Sequence, residues 1–228
     1  TSLYTDYDDI LRKIQAAGGY SEKQMQTIGA AARQAGADTR YMASDAAGAF
    51  LSLTQAGVSL TNSLETLPVL LNAAAAGDMQ LTDAGDLLIS NIYSLGKAFE
   101  RNDVAAYMDK VVTAADASNT TVQEMMEGVS KIGAAGRLFA GGDSELLAFL
   151  GLLADLNMKG STGGINARNM IISLLAPTQK AAKLMDALEI SEEEFDETLE
   201  GIDLTDSAKA MKWLGLETVD ANGKVRPM

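Results

Sequence analysis

Apolar residues recur along this chain three or four positions apart, in a succession of short segments. Val104, Met108, Val111 and Ala115 fall on one stripe, and Val122, Met125, Met126, Val129 and Ile132 on another, the spacing of helices that bury one face. Leu87, Leu88, Ile92, Leu95 and Phe99 predict a further core-facing helix. The run from Leu146 to Met158 is apolar almost all round and predicts a central helix buried on most sides. Pro68 starts or kinks a helix running through Ala76, because an interior proline removes a backbone donor.

Polar helix-start residues punctuate this pattern at Ser21, Thr39, Ser59, Thr82, Asp103, Thr121, Asp143 and Thr162, neighbours lying 18 to 23 residues apart. Gly19, Gly36, Gly57, Gly77, Gly142 and Gly160 stand where preceding helices would end. Ser21 with Gln24, Thr121 with Glu124, and Ser191 with Glu194 fit the capping box, in which a hydroxyl and a side chain three residues later satisfy each other's exposed amides. The even spacing resembles a repeat, but side-chain identity between the steps is low, and a bundle of short helices gives the same spacing. The pattern predicts an all-α fold, a multi-helix bundle or an array of antiparallel helix pairs with short turns. Near the end, Asn222-Gly223 sits between apolar residues in ETVDANGKV, a turn signal for a small β-hairpin. The expected organisation is an all-helical core over residues 1–185, then an acidic helical segment and a short hairpin over 186–228.

Composition agrees with helices. Much of the 47% hydrophobic content is alanine, aromatics are 5%, and only three prolines interrupt the chain. Against this stand 21 glycines, each costing about 1 kcal/mol relative to alanine inside a helix, which favours many short helices over one rod. The net charge of −13 is local in origin: residues 186–206 hold ten acidic side chains and no Lys or Arg, leaving 21 acidic against 18 basic elsewhere. No dense basic stripe is present, so direct nucleic-acid binding is not expected. No apolar run reaches the length needed to span a bilayer, and the opening TSLYTDYDD is unlike a signal peptide.

Candidate chemistry is sparse. The chain has no histidine and no cysteine, which removes thiolate nucleophiles, imidazole-based triads and nearly every zinc site. KGSTGG at residues 159–164 has glycines beside a lysine, but the lysine precedes them and a helix rather than a strand leads in, so a helix–turn–helix connection is the better account. Glu192, Glu193, Glu194, Asp196, Glu197 and Glu200 read as a solvated helix face favoured by the dipole after Ser191, not as a pair of carboxylates across a cleft. Asp220-Ala221-Asn222-Gly223 lacks the later glutamate of a calcium loop. The eleven methionines fall mostly on core positions. No catalytic, metal or cofactor-binding residue is assigned, and no cofactor is expected; partner-binding residues are not identified.

Four blocks carry a family resemblance. LPVLLNAAAAGDMQLTDAGDLL (67–88), ASNTTVQEMMEGVSKIG (117–133), LLADLNMKGSTGGINARNMIISLLAPT (152–178) and WLGLETVDANGKVRPM (213–228) resemble, in order, the core region of phage tail tape-measure proteins. The likeness covers residues 20–228 and is loosest over 93–116 and 134–145. It implies a structural, non-enzymatic protein inside the tail tube that sets tail length during assembly and is made in the bacterial host cytoplasm. It implies tail-tube subunits, tail-tip or baseplate proteins and assembly chaperones as partners; self-association is a further expectation. The chain opens without methionine and reads as a piece of a longer protein. The residues alone leave a helical scaffold or adaptor of another kind open, and, more distantly, a muralytic hydrolase.

Overall fold

Nine α-helices of 11 to 17 residues form among the described residues of the computed structural model, which are residues 2–175 and two three-residue strands. The helices are α1 (Ser2–Gly18), α2 (Glu22–Asp38), α3 (Ala43–Gln55), α4 (Leu60–Ala76), α5 (Leu81–Ser94), α6 (Arg101–Asp116), α7 (Val122–Ile132), α8 (Gly142–Asp155) and α9 (Gly160–Leu175). A 3-10 helix, Gly133–Leu138, joins α7 to α8. The strands β1 (Glu217–Val219) and β2 (Val225–Pro227) are antiparallel neighbours, Thr218 opposite Arg226. Asn222-Gly223, the Ser191–Glu194 box and the whole acidic run lie outside the described residues.

Each helix packs against the next but one. α1, α3, α5, α7 and α9 form one row, and α2, α4, α6 and α8 a second row laid against it. This is the array of helix pairs rather than a bundle around one axis. The core is continuous along the seam between the rows, with Phe50, Leu53, Leu70, Leu88, Ile92, Met126, Leu146 and Phe149 almost fully shielded from water. Helices this short are marginal alone and hold their form by burying such faces. The α6 and α7 stripes face inward as their spacing predicts.

Several boundaries differ from the sequence reading. Ser21, Ser59 and Thr121 are N-caps whose hydroxyls accept backbone N–H groups, Ser21 and Thr121 in complete capping boxes. Thr39 instead closes α2, its hydroxyl donating to the Ala35 carbonyl at 2.7 Å, and α3 starts later, where Asp45 accepts the Met42 N–H at 2.9 Å. Thr82, Asp103, Asp143 and Thr162 lie inside the first turns of α5, α6, α8 and α9. Gly36 is interior to α2, where an added Cβ would come within 2.7 Å of the Ala43 nitrogen; it permits close approach of the chain and does not end the helix. Pro68 neither starts nor ends α4 but sits within it. Phe99 is buried, yet in the connection after α5 rather than on the helix.

Four turns share one build. α3 to α4, α4 to α5, α5 to α6, and α8 to α9 each place a left-handed residue two positions past the helix end: Gly57 (φ 80°), Asp78 (φ 52°), Gly96 (φ 70°) and Asn157 (φ 66°). The next residue, Val58, Met79, Lys97 or Met158, donates its N–H back to the carbonyl of Leu53, Ala74, Ile92 or Leu153 at 2.8–3.0 Å. This is the Schellman motif, with an apolar partner residue at all but Lys97. Only glycine, or a short polar side chain, adopts that backbone cheaply.

Candidate functional site

With antiparallel neighbours in two rows, every second turn falls on the same edge of the array. One edge carries the turns at 39–42, 77–80, 117–121 and 156–159. Arg40 reaches from the first to the second, donating to Asp78 Oδ1 at 2.6 Å and to the Ala74 carbonyl at 3.3 Å, while the Tyr41 hydroxyl donates to the Met79 carbonyl at 2.9 Å. Gly77 of the second turn lies against Val122, which opens α7 after the third. The opposite edge is tied as well. Tyr93 donates to the Ala56 carbonyl at 2.6 Å, and Arg137 donates to the Ser94 and Tyr93 carbonyls at 2.6 and 2.9 Å. The bonds to the Ala56 and Ser94 carbonyls supply donors at the ends of α3 and α5.

The densest of these ties joins the third and fourth turns. The Asn119 N–H donates to Asp155 Oδ1 at 2.7 Å, and Lys159 Nζ donates to Asn119 Oδ1 at 3.0 Å. Ser161 and Glu127 approach at 3.4 Å. Below them α7 and α9 meet backbone to backbone. A Cβ on Gly164 would collide with the Gly128 carbonyl oxygen and come within 2.8 Å of Lys131 Cβ, and one on Gly128 would lie 3.4 Å from the Gly160 carbonyl oxygen. The KGSTGG stretch is thus half of an interlock: its lysine reaches a neighbouring turn, and its last glycine lets two helices touch. Its glycines lie at the start of α9, between two helices and not between a strand and a helix as in a phosphate loop.

Sequence reasoning assigned no catalytic or ligand-binding residue, and it missed the Asn119–Asp155–Lys159 tie and the Gly128–Gly164 contact. The signal was present, since the partners fall in two of the four family-like blocks, residues 117–133 and 152–178. Their pairing across about forty residues was not visible in either block alone. Buried polar groups were missed too. Glu145 is only 7% exposed and accepts the Gly141 N–H at 2.6 Å, ordering the entry to α8. Tyr107 is buried beside Asn91, and burial raises its phenol pKa. No group of three His, Cys, Asp or Glu side chains that could hold a metal occurs among the described residues, and no helix there is long and apolar enough to cross a membrane.

The profile of the phage-related minor tail protein family matches residues 29–228, from within α2 to the last residue given. The chain is 24% identical over 181 residues to a tape measure protein of Pneumococcus phage Dp-1, covering 79% of this chain and 16% of that protein. It is 28% identical over 225 residues to a probable tape measure protein of Escherichia phage P2, covering 95% of this chain and 23% of that one. The chain therefore spans less than a quarter of the length of either relative. No solved structure matches it.

Proposed function

The chain belongs to the phage-related minor tail protein family, and from that premise we propose that it is a segment of a tape-measure protein that acts in tail assembly and in determining tail length inside the tail tube. The observation that carries the proposal is the family match over residues 29–228, which takes in α3 to α9 and the ties between their turns. The two relatives' names agree with it. A helical adaptor unrelated to tails is not favoured by these matches.

The segment acts structurally, without catalysis. Its charged side chains at the best-defined site, Asp155 and Lys159, are engaged with a neighbouring turn. Its partners are tail-tube subunits, tail-tip or baseplate proteins and assembly chaperones, with self-association as a further contact and no direct contact with nucleic acid. It is made in the host cytoplasm and becomes part of the virion tail. Residues 1–185 form its helical core and 186–228 an acidic segment with a small hairpin.

An in-frame deletion of residues 60–100 in the parent gene, removing α4, α5 and their connections, tests the reading. If the segment lies extended as helix in the tail, the tail shortens by about 60 Å at 1.5 Å per residue, and duplication of the same stretch lengthens it equally, both read by electron microscopy. Tails of unchanged length from both variants would overturn it.

A further inference from the structure

Most buried polar side chains of the array, Thr54, Ser63 and Glu145 among them, have hydrogen-bond partners; the exceptions gather at one place. Asn91 on α5 and Tyr107 on α6 are fully buried beside one another, and both Asn91 amide atoms and the Tyr107 hydroxyl lack a well-formed hydrogen bond. Thr66, on the helix α4 that packs against α6, has a buried hydroxyl with no partner. Polar contacts also cross elsewhere between α1–α5 and α6–α9: Ser90 and Ser130 join α5 to α7 at 2.9 Å, Asp143 of α8 bridges Lys97 of the connection at 2.8 Å, and Arg137 donates to the Ser94 and Tyr93 carbonyls of α5. The connection across this boundary, residues 95–100, is the longest non-helical link between helices among the described residues.

We propose that the array opens first along the seam where α4 packs on α6 and α5 on α7, parting into two half-stacks, α1–α5 and α6–α9, each of which keeps its own packing. The physical reason is asymmetric. Buried polar atoms without partners regain hydrogen bonds to water when the seam parts, which offsets the loss of burial there. Where the buried side chains are apolar or already hydrogen-bonded, parting two helices brings no such gain. The six-residue link lets the halves separate without unwinding a helix. The seam is a property of the packed chain; its use as the joint by which a tape passes from packed to extended form rests on the tape-measure reading.

Native-state amide exchange on the 228-residue chain tests this. At low denaturant, amides of α5 and α6 exchange through an opening distinct from that of α3 and of α7 with α9, and at a lower midpoint. Replacing the orphaned groups by apolar ones of similar shape, Asn91→Leu with Tyr107→Phe, slows exchange at the seam by about tenfold and leaves α3 less affected. The single Tyr107→Phe variant, which removes one oxygen and leaves the ring, moves in the same direction and guards against misfolding of the double variant. Exchange of all nine helices through one common opening would overturn the proposal, as would faster seam exchange in Tyr107→Phe. Neither result bears on tail length, so failure here is separable from failure of the proposed function.

Discussion

At the scale of single residues, the positions that matter most are those where a small side chain lets two pieces of backbone meet. Gly164 and Gly128 are the clearest case, because a methyl group on Gly164 has no room between the Gly128 carbonyl and Lys131. In an exposed helix, glycine to alanine stabilises by up to about 1 kcal/mol; here the sign reverses. Gly164→Ala is expected to destabilise the chain by about 1–3 kcal/mol through overpacking, measured by urea unfolding, and stabilisation would show that α7 and α9 do not touch as described. Buried leucines give the opposite defect. Leu150 and Leu153 on α8 are each 5% exposed, so Leu150→Ala and Leu153→Ala are expected to cost about 2–5 kcal/mol each by leaving cavities. The apolar run from Leu146 to Met158 made these two legible in the sequence. Gly164 was not legible, because what makes it irreplaceable is a carbonyl thirty-six positions earlier in the chain.

At the scale of the helix, the sequence was most informative where a signal is local and complete. Ser21 with Gln24 and Thr121 with Glu124 carry both halves of the capping box within four residues, and both helices begin there. Thr39, Thr82 and Thr162 carry a hydroxyl without a reciprocal partner three residues on, and none is an N-cap. A hydroxyl serves equally to close a helix, as Thr39 does for α2, so residue type alone cannot set the boundary. The contrast is measurable. Thr121→Ala is expected to cost about 1 kcal/mol through loss of the cap, whereas Thr162→Ala, at an exposed position inside α9, is expected to change stability by no more than about 0.5 kcal/mol. Equal losses in thermal or urea unfolding would restore Thr162 as a helix start. The Schellman turns explain the even spacing seen in the sequence: four joints of one geometry recur with Gly57, Asp78, Gly96 and Asn157 at the critical position. Three residue types fill one conformational role, which is why the repetition shows in the backbone and hardly in the letters.

At the scale of the whole molecule, two rows of helices whose turns are tied along both edges form a packed array without an extended rod in it. The all-helical class followed from periodicity and composition, because each helix announces its own buried face. The choice between bundle and array did not follow, since it depends on which helix each face meets, and next-but-one packing is a relation between segments about forty residues apart. That relation determines what the free chain looks like in solution. Drawn out as a single helix, a chain of 228 residues would be about 340 Å long at 1.5 Å per residue; packed as a globule of that length it would have a radius of gyration near 17 Å. The buried stripes of α3 through α8 and the ties at 40–78, 119–155 and 93–137 can form only in the packed state. Small-angle scattering on the monodisperse chain is therefore expected to give a radius of gyration close to the globular value, about 17–20 Å, the excess reflecting a stack rather than a sphere. A rod-like profile with a radius several times larger would mean that the helices do not pair and that the chain is extended before it meets a tube. The packed result carries a consequence for assembly. An extended tape would then have to be drawn out by contacts with its surroundings, because parting the rows exposes the apolar surface that Phe50, Leu88, Met126 and Leu146 now hide.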